Sequence, residues 1–155
     1  MALFTGTFEN KVDAKLRVSL PADFRDLLVG DGTAGNGSFY IFPSPRGGFL
    51  EACDHVLMQQ VVASIAAQAE MFSEEEYALS YIPSEARRIQ CDATGRFVLP
   101  AGFVEEASLR DRALFAGIGD RFQIWNPEHY QTERQRKRDL ARASSLRLTP
   151  RSGGL

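Results

Sequence analysis

The side chains in this sequence that could do chemistry are mostly cations, and they gather at two places. Lys11, Lys15, Arg17 and Arg25 form one group, and Arg87, Arg88 and Arg96 form the other. A lysine ammonium neutralises a phosphate. An arginine guanidinium does the same and also offers two parallel N–H donors to the O6/N7 edge of guanine. In each group an aspartate stands four residues before an arginine, Asp13 before Arg17 and Asp92 before Arg96. Each pair is open to two readings, a salt bridge that closes a hairpin or an arginine held ready for DNA. One guanidinium has five donors and can serve both. Asp13 and Asp92 themselves suit turn formation better than contact with DNA.

Other chemistries are poorly supported. Cys53 and Cys91 are the only cysteines, far apart and without a Cys-x-x-Cys spacing, which suits reduced core positions. His55 lies two residues from Cys53, yet structural zinc needs four ligands at recurring spacings and only His129 remains to recruit. No metal and no cofactor are expected. The glycine-rich stretch Gly30–Gly37 lacks the Gly-Lys-Ser/Thr ending of a phosphate cradle and leads toward a strand. Neither histidine sits beside a nucleophile, and Glu74–Glu76 opens a helix before it could serve as a catalytic pair. Catalysis is not expected.

Composition is that of an ordinary soluble chain, 44% hydrophobic and 25% charged. No apolar run approaches the roughly 20 residues of a membrane span, and the N-terminus lacks the pattern of a signal peptide, so a cytoplasmic location is expected. The net charge of −2 does not by itself suit a nucleic-acid binder, but the distribution is uneven. From Gln131 onward seven cations face two acids, leaving that stretch at +5 and the rest at −7. On base rates the basic stretch is as well explained by a solvated helix face as by a nucleic-acid arm.

The elements that must position these residues come in duplicate. Asp13–Phe24 and Asp92–Phe103, offset by 79, share seven of twelve residues: the Asp, both Ala, the Arg, the Leu, the Pro and the Phe. Unrelated segments would share about one. Each copy reads as strand, tight turn, strand and short helix. Phe4–Phe8 then Val12, and Ile89–Cys91, are the first strands. Asp92 and Gly95 take the first and fourth positions of a type I turn. Arg96–Leu99 resumes the strand, Pro100 ends it, and Phe103, Val104 and Ala107 follow at helical spacing. Further strands are expected at Ser38–Phe42, Gly47–Ala52, Ala113–Ala116 and Phe122–Trp125. Asp54 caps a helix with a stripe of Val56, Leu57, Val61, Val62, Ile65 and Ala69. Ser73–Glu76 is a capping box for a short helix that Pro83 stops, and Asn126-Pro127 starts a last, basic helix. The division expected is 1–53, first half; 54–85, connecting helices; 86–143, second half with its helix; 144–155, a frayed tail.

Two copies of Asp-x-x-x-Arg, each followed by a short strand, Leu-Pro and an apolar helix start, resemble the MraZ family within the AbrB-like swapped-hairpin DNA-binding group. The opening Phe4-Thr-Gly and the Phe122–Pro127 junction add to the resemblance, which covers nearly the whole chain. It implies a mixed α/β (α+β) fold, a duplicated swapped-hairpin β-barrel with flanking helices. It further implies a homo-oligomeric ring that binds short promoter repeats upstream of cell-division and cell-wall genes and associates with the nucleoid. The motif arginines are Arg17 and Arg96, their partner acids Asp13 and Asp92. The first motif departs from the family in placing Leu16 where Gly95 stands in the second. If that position needs positive φ, Leu16 is strained. The contrasting reading is an antitoxin-like or scaffold ring whose hairpin face binds a protein.

Overall fold

The computed structural model describes residues 2–28 and 37–150. Most of the Gly30–Gly37 stretch and the end of the tail lie outside the described residues. The order of elements is β1 (Thr7–Lys11), β2 (Arg17–Ser19), α1 (Ala22–Leu27), β3 (Ser38–Pro43), β4 (Leu50–Cys53), α2 (His55–Gln68) and α3 (Glu74–Leu79). Then come α4 (Tyr81–Glu85), β5 (Arg87–Gln90), β6 (Arg96–Val98), α5 (Ala101–Glu106), β7 (Arg112–Gly117), β8 (Phe122–Trp125) and α6 (Pro127–Ala143). The class is mixed α/β, as the duplication and the resemblance led one to expect.

The two copies interlock rather than fold side by side. A six-stranded antiparallel sheet runs β1-β7-β8-β4-β3-β5, and β2 and β6 form a separate two-stranded ribbon. Strands of the first copy therefore pair with strands of the second: β1 with β7, β3 with β5, β4 with β8, and β2 with β6. Among the described residues this is not the closed barrel expected from the resemblance, because β1 and β5 remain edges. The ribbon strands are three residues long, and each chain passes through Leu-Pro into a helix. Pro21 and Pro100 have no N–H to donate, so the ribbon ladder stops there.

Burial explains which strands read as continuous apolar runs. Phe39, Ile41, Leu50 and Ala52 face the main core, which also receives Phe24 of α1, Phe103 of α5, and Val18 and Phe97 of the ribbon. On the opposite face Phe42 and Cys53 meet Met58, Ile65 and Ile82 of α2 and α4. The sheet centre is thus covered on both sides, so β4 and β8 are buried at every position. A third cluster docks α6, where Trp125 stacks on Phe49 at 4.0 Å and Tyr130 meets its edge. Both cysteines are buried free thiols. Burial pushes Cys53 up to about 12 and Cys91 up to about 11, so neither ionises near neutral pH.

The helix signals held, with three corrections. Asp54, Ser73 and Asn126 each cap their helix, accepting from Leu57 N at 2.8 Å, Glu76 N at 3.2 Å and Glu128 N at 2.9 Å. The buried stripe of α2 is narrower than expected: Met58 and Ile65 are inside, whereas Val56 and Val62 are 56% and 44% exposed. The helix lies on the sheet along one edge only. Glu76 completes its capping box one residue early, accepting from Phe72 N at 2.8 Å. Pro83 does not stop α3. It sits in the first turn of α4, where a missing N–H leaves no bond unmade.

One buried polar group went unnoticed in the sequence. Glu51, in the middle of β4, is 6% exposed. Its carboxylate accepts from Ser44 Oγ at 3.1 Å, Arg121 Nε at 3.1 Å and Gln123 Nε2 at 3.2 Å. Gln123 Oε1 in turn accepts from Trp125 Nε1 at 3.0 Å. A buried charge is tolerated only when its lone pairs are filled, and these are.

Candidate nucleic-acid interface

Each turn of the duplicated motif is a type I turn closed by a left-handed residue. Leu16 N donates to Asp13 O and Gly95 N to Asp92 O, both at 3.0 Å, and the next bond returns from the aspartate N–H to the arginine carbonyl. The closing residues are Leu16 at φ 62° and Gly95 at φ 84°. The two turns therefore share one shape, and Leu16 adopts a backbone that costs an L-residue about 1–2 kcal/mol. Asp13 Oδ1 accepts from the N–H groups of Lys15 and Arg17, each at 2.9 Å. Asp92 Oδ1 accepts from those of Thr94 at 2.9 Å and Arg96 at 3.0 Å, and from the Thr94 hydroxyl at 2.7 Å. The backbone N–H of Arg17 holds the Asp13 carboxyl below the ordinary carboxylate range, and that of Arg96 does so for Asp92.

These turns launch the ribbon. Val18 pairs with Phe97 at its centre, and the ladder is extended by Leu20 N to Gly95 O at 2.9 Å and Leu99 N to Leu16 O at 2.8 Å. Val18 and Phe97 point into the core, so the alternation of a strand turns their neighbours outward. The outer face consists of Arg17 opposite Val98 and Ser19 opposite Arg96. Two shallow grooves flank it, one reaching Asn10, Lys11 and Asp13, the other Gln90 and Asp92. Both are lined by Arg17 and Arg96.

The structure thus brings Lys11, Asp13, Arg17, Asp92 and Arg96 to one surface, with Lys15 exposed on the first turn. The arginines do not both stay with their own aspartate. Arg17 Nε pairs with Asp13 Oδ2 at 2.8 Å, but Arg96 Nη2 crosses to that same oxygen at 3.0 Å. Of the two readings left open for the second motif, the ion pair of Arg96 runs between copies, while Asp92 Oδ1 accepts from Thr94 and from backbone. Arg25 is displaced from the outer face. Its guanidinium from α1 lies over Gly95, where a Cβ would collide with it. Arg87 and Arg88 stand on the edge strand β5, Arg88 Nε donating to Ser38 Oγ at 3.3 Å, and neither lines the grooves. Spacing from the motifs overlooked Ser19 and Val98. The alternation around Val18 and Phe97 would have found both.

Gly95 and Leu16 give a contrast that tests the shared turn. Gly95→Ala should destabilise the fold by about 1–2 kcal/mol, the cost of left-handed backbone, and more if Arg25 must move. Leu16→Gly removes the same strain. It also loses partial packing on the core and gains unfolded-state entropy, about 0.5–1 kcal/mol, so the net change should be near zero. Urea midpoints of the two variants check this, and equal losses would contradict a common turn shape.

Comparison with known proteins places the chain in a family. Residues 82–149, holding the second motif and α6, match a family model described as "MraZ protein, putative antitoxin-like". The chain is 35% identical to the transcriptional regulator MraZ of Parvibaculum lavamentivorans, covering 99% of each chain. It is 34% identical to that of Pelagibacter ubique over 92% of each, and 34% identical to that of Rhodospirillum rubrum over 88% of each. With such identity along almost its full length, this chain belongs to the MraZ family of transcriptional regulators.

Proposed function

We propose that this protein is a sequence-specific DNA-binding regulator that lays the β2–β6 ribbon in the major groove. One observation carries the reading: a two-stranded ribbon whose outer face presents Arg17 and Arg96 across from Val98 and Ser19. A ribbon of this kind fits a groove about 12 Å wide, and these residue types read bases there. Arginine takes guanine, serine accepts or donates, and valine meets a thymine methyl. Lys11 and Lys15 neutralise phosphates at the border. Arg25, Arg87 and Arg88 act from outside the ribbon, through the turn and the sheet edge.

One unit with so few cations binds weakly. A homo-oligomeric ring engaging several short repeats together raises affinity through effective concentration, which reconciles an acidic chain with DNA binding. In this reading the protein acts in the cytoplasm at the nucleoid, on promoter repeats upstream of cell-division and cell-wall genes. It needs no cofactor, metal or small-molecule substrate and catalyses no reaction.

The test is a fluorescence-anisotropy titration against the DNA upstream of its own gene, with a scrambled duplex alongside, at several salt concentrations. Tighter binding to the upstream fragment, weakening steeply with salt, is expected. Lys15→Ala should lower affinity for both duplexes and reduce the salt slope by about one. An unchanged slope removes Lys15 from the contact surface. Folded protein that binds neither duplex would move the hairpin face to a protein partner, as an antitoxin-like module would use it.

A further inference from the structure

The two turn aspartates are not used alike. Asp13 Oδ1 is filled by two backbone N–H groups, which leaves Oδ2 for side chains. That oxygen receives Arg17 Nε at 2.8 Å and Arg96 Nη2 at 3.0 Å. The second guanidinium comes from 83 residues away, past an aspartate only four residues from it. Asp92 instead takes the Thr94 hydroxyl, a group the first turn lacks because Lys15 stands in its place. One carboxylate, fixed by backbone, therefore ties together the arginines of both copies on the outward face of the ribbon.

We propose that Asp13 is a positioning residue for both ribbon arginines, and that its charge sets how strongly this face discriminates between DNA sequences. The proposal rests on the DNA-binding reading above. A long arginine side chain that must find its aim on binding loses rotamer entropy then, whereas one already held loses little. Asp13 uses one donor of each guanidinium, so most of the five on each remain for bases. Its negative charge also leaves the three-group unit at a net +1. That restrains attraction to phosphates of any sequence. Neutralising Asp13 acts in two directions at once, raising affinity for arbitrary DNA and lowering discrimination. An aspartate that merely shaped the turn would leave discrimination unchanged when neutralised.

The experiment titrates the full chain and its variants against the upstream fragment and a scrambled duplex over a salt series. Asp13→Asn keeps an oxygen for the Lys15 and Arg17 N–H groups and removes the charge. Asp92→Asn removes the corresponding charge from the aspartate whose carboxylate accepts from Thr94 and backbone N–H groups instead of the ribbon arginine side chains. For Asp13→Asn the scrambled duplex should bind more tightly, with a salt slope steeper by up to about one. The ratio of upstream to scrambled affinity should fall by about tenfold, the equivalent of one weakened bidentate contact. Asp92→Asn should lower the ratio by less, because its carboxylate accepts from backbone and from Thr94 rather than from a guanidinium. An unmoved ratio in Asp13→Asn, or equal losses in the two variants, overturns the proposal. If Asp13→Asn fails to fold, Asp13→Ser carries the same expectation, because its hydroxyl offers the same backbone acceptor. Loss of fold in both makes the residue structural and overturns the proposal. Wild-type protein that binds neither duplex overturns the DNA-binding reading as well, so the two failures are told apart.

Discussion

Phe122→Ala is expected to destabilise the protein by about 3–5 kcal/mol, a large part of the roughly 5–15 kcal/mol that holds a domain together. The ring of Phe122 is fully buried and lies 5.3 Å from Phe4, 5.0 Å from Phe24, 5.4 Å from Phe39 and 6.3 Å from Phe115. Phe4 and Phe24 belong to the first copy, Phe115 and Phe122 to the second, and Phe39 to the strand that pairs with β5. Deleting one ring thus removes the packing that joins the copies. Phe39 and Phe115 sit on strands fixed by ladders on both sides, so the cavity has little room to collapse.

The same substitution asks whether the two copies unfold together. Trp125, the only tryptophan, reports on β8 and α6 by fluorescence, and far-UV circular dichroism reports on the whole chain. Both signals should shift to lower urea by the same amount with an unchanged slope, since every copy-one strand is paired to a copy-two strand. Two separated transitions would mean that the halves are independent. A loss below about 1 kcal/mol would mean that the core relaxes around the gap, contrary to the mechanism.

Local signals were the legible part of this fold. Caps at Asp54, Ser73 and Asn126, the turn chemistry of Asp92 and Gly95, and the strand at Phe122–Trp125 are decided within a few residues, and the structure places them where the sequence did. The strain at Leu16 was legible too, because comparison with Gly95 exposed it. Long-range pairing was not legible from residues alone. That β2 leaves its own hairpin for β6 depends on burying Val18 and Phe97 against a core built from both copies, which no spacing in one copy encodes. The crossing of Arg96 to Asp13 follows from that pairing, which a four-residue spacing does not encode. The closed barrel implied by the resemblance is not formed among the described residues, where β1 and β5 remain edges. Glu51 stayed hidden because a strand buried on both faces reads as apolar, and a single acid within it looks like a surface position until its three donors are seen.

Arg96→Ala should sharply lower discrimination between the upstream fragment and scrambled DNA while leaving the fold and any assembly intact. Arg96 is partly exposed and tied to Asp13 through one of its donors, and exposed pairs of this kind contribute little to stability. Its melting behaviour should therefore match that of the wild type. A bidentate arginine–guanine contact contributes about 1–3 kcal/mol of discrimination, so each unit should lose about tenfold or more. A ring that engages several repeats compounds the loss across its units. Arg96→Lys separates the possible roles of the charge. Lysine keeps a cation for phosphate but has no fork to match guanine, so affinity for scrambled DNA should persist while selectivity goes. If Arg96→Lys instead behaves as wild type on both duplexes, the residue touches phosphate only, and base readout must pass to Arg17, Ser19 and Val98. If Arg96→Ala unfolds or dissociates, the ion pair across the copies is what the second arginine is for.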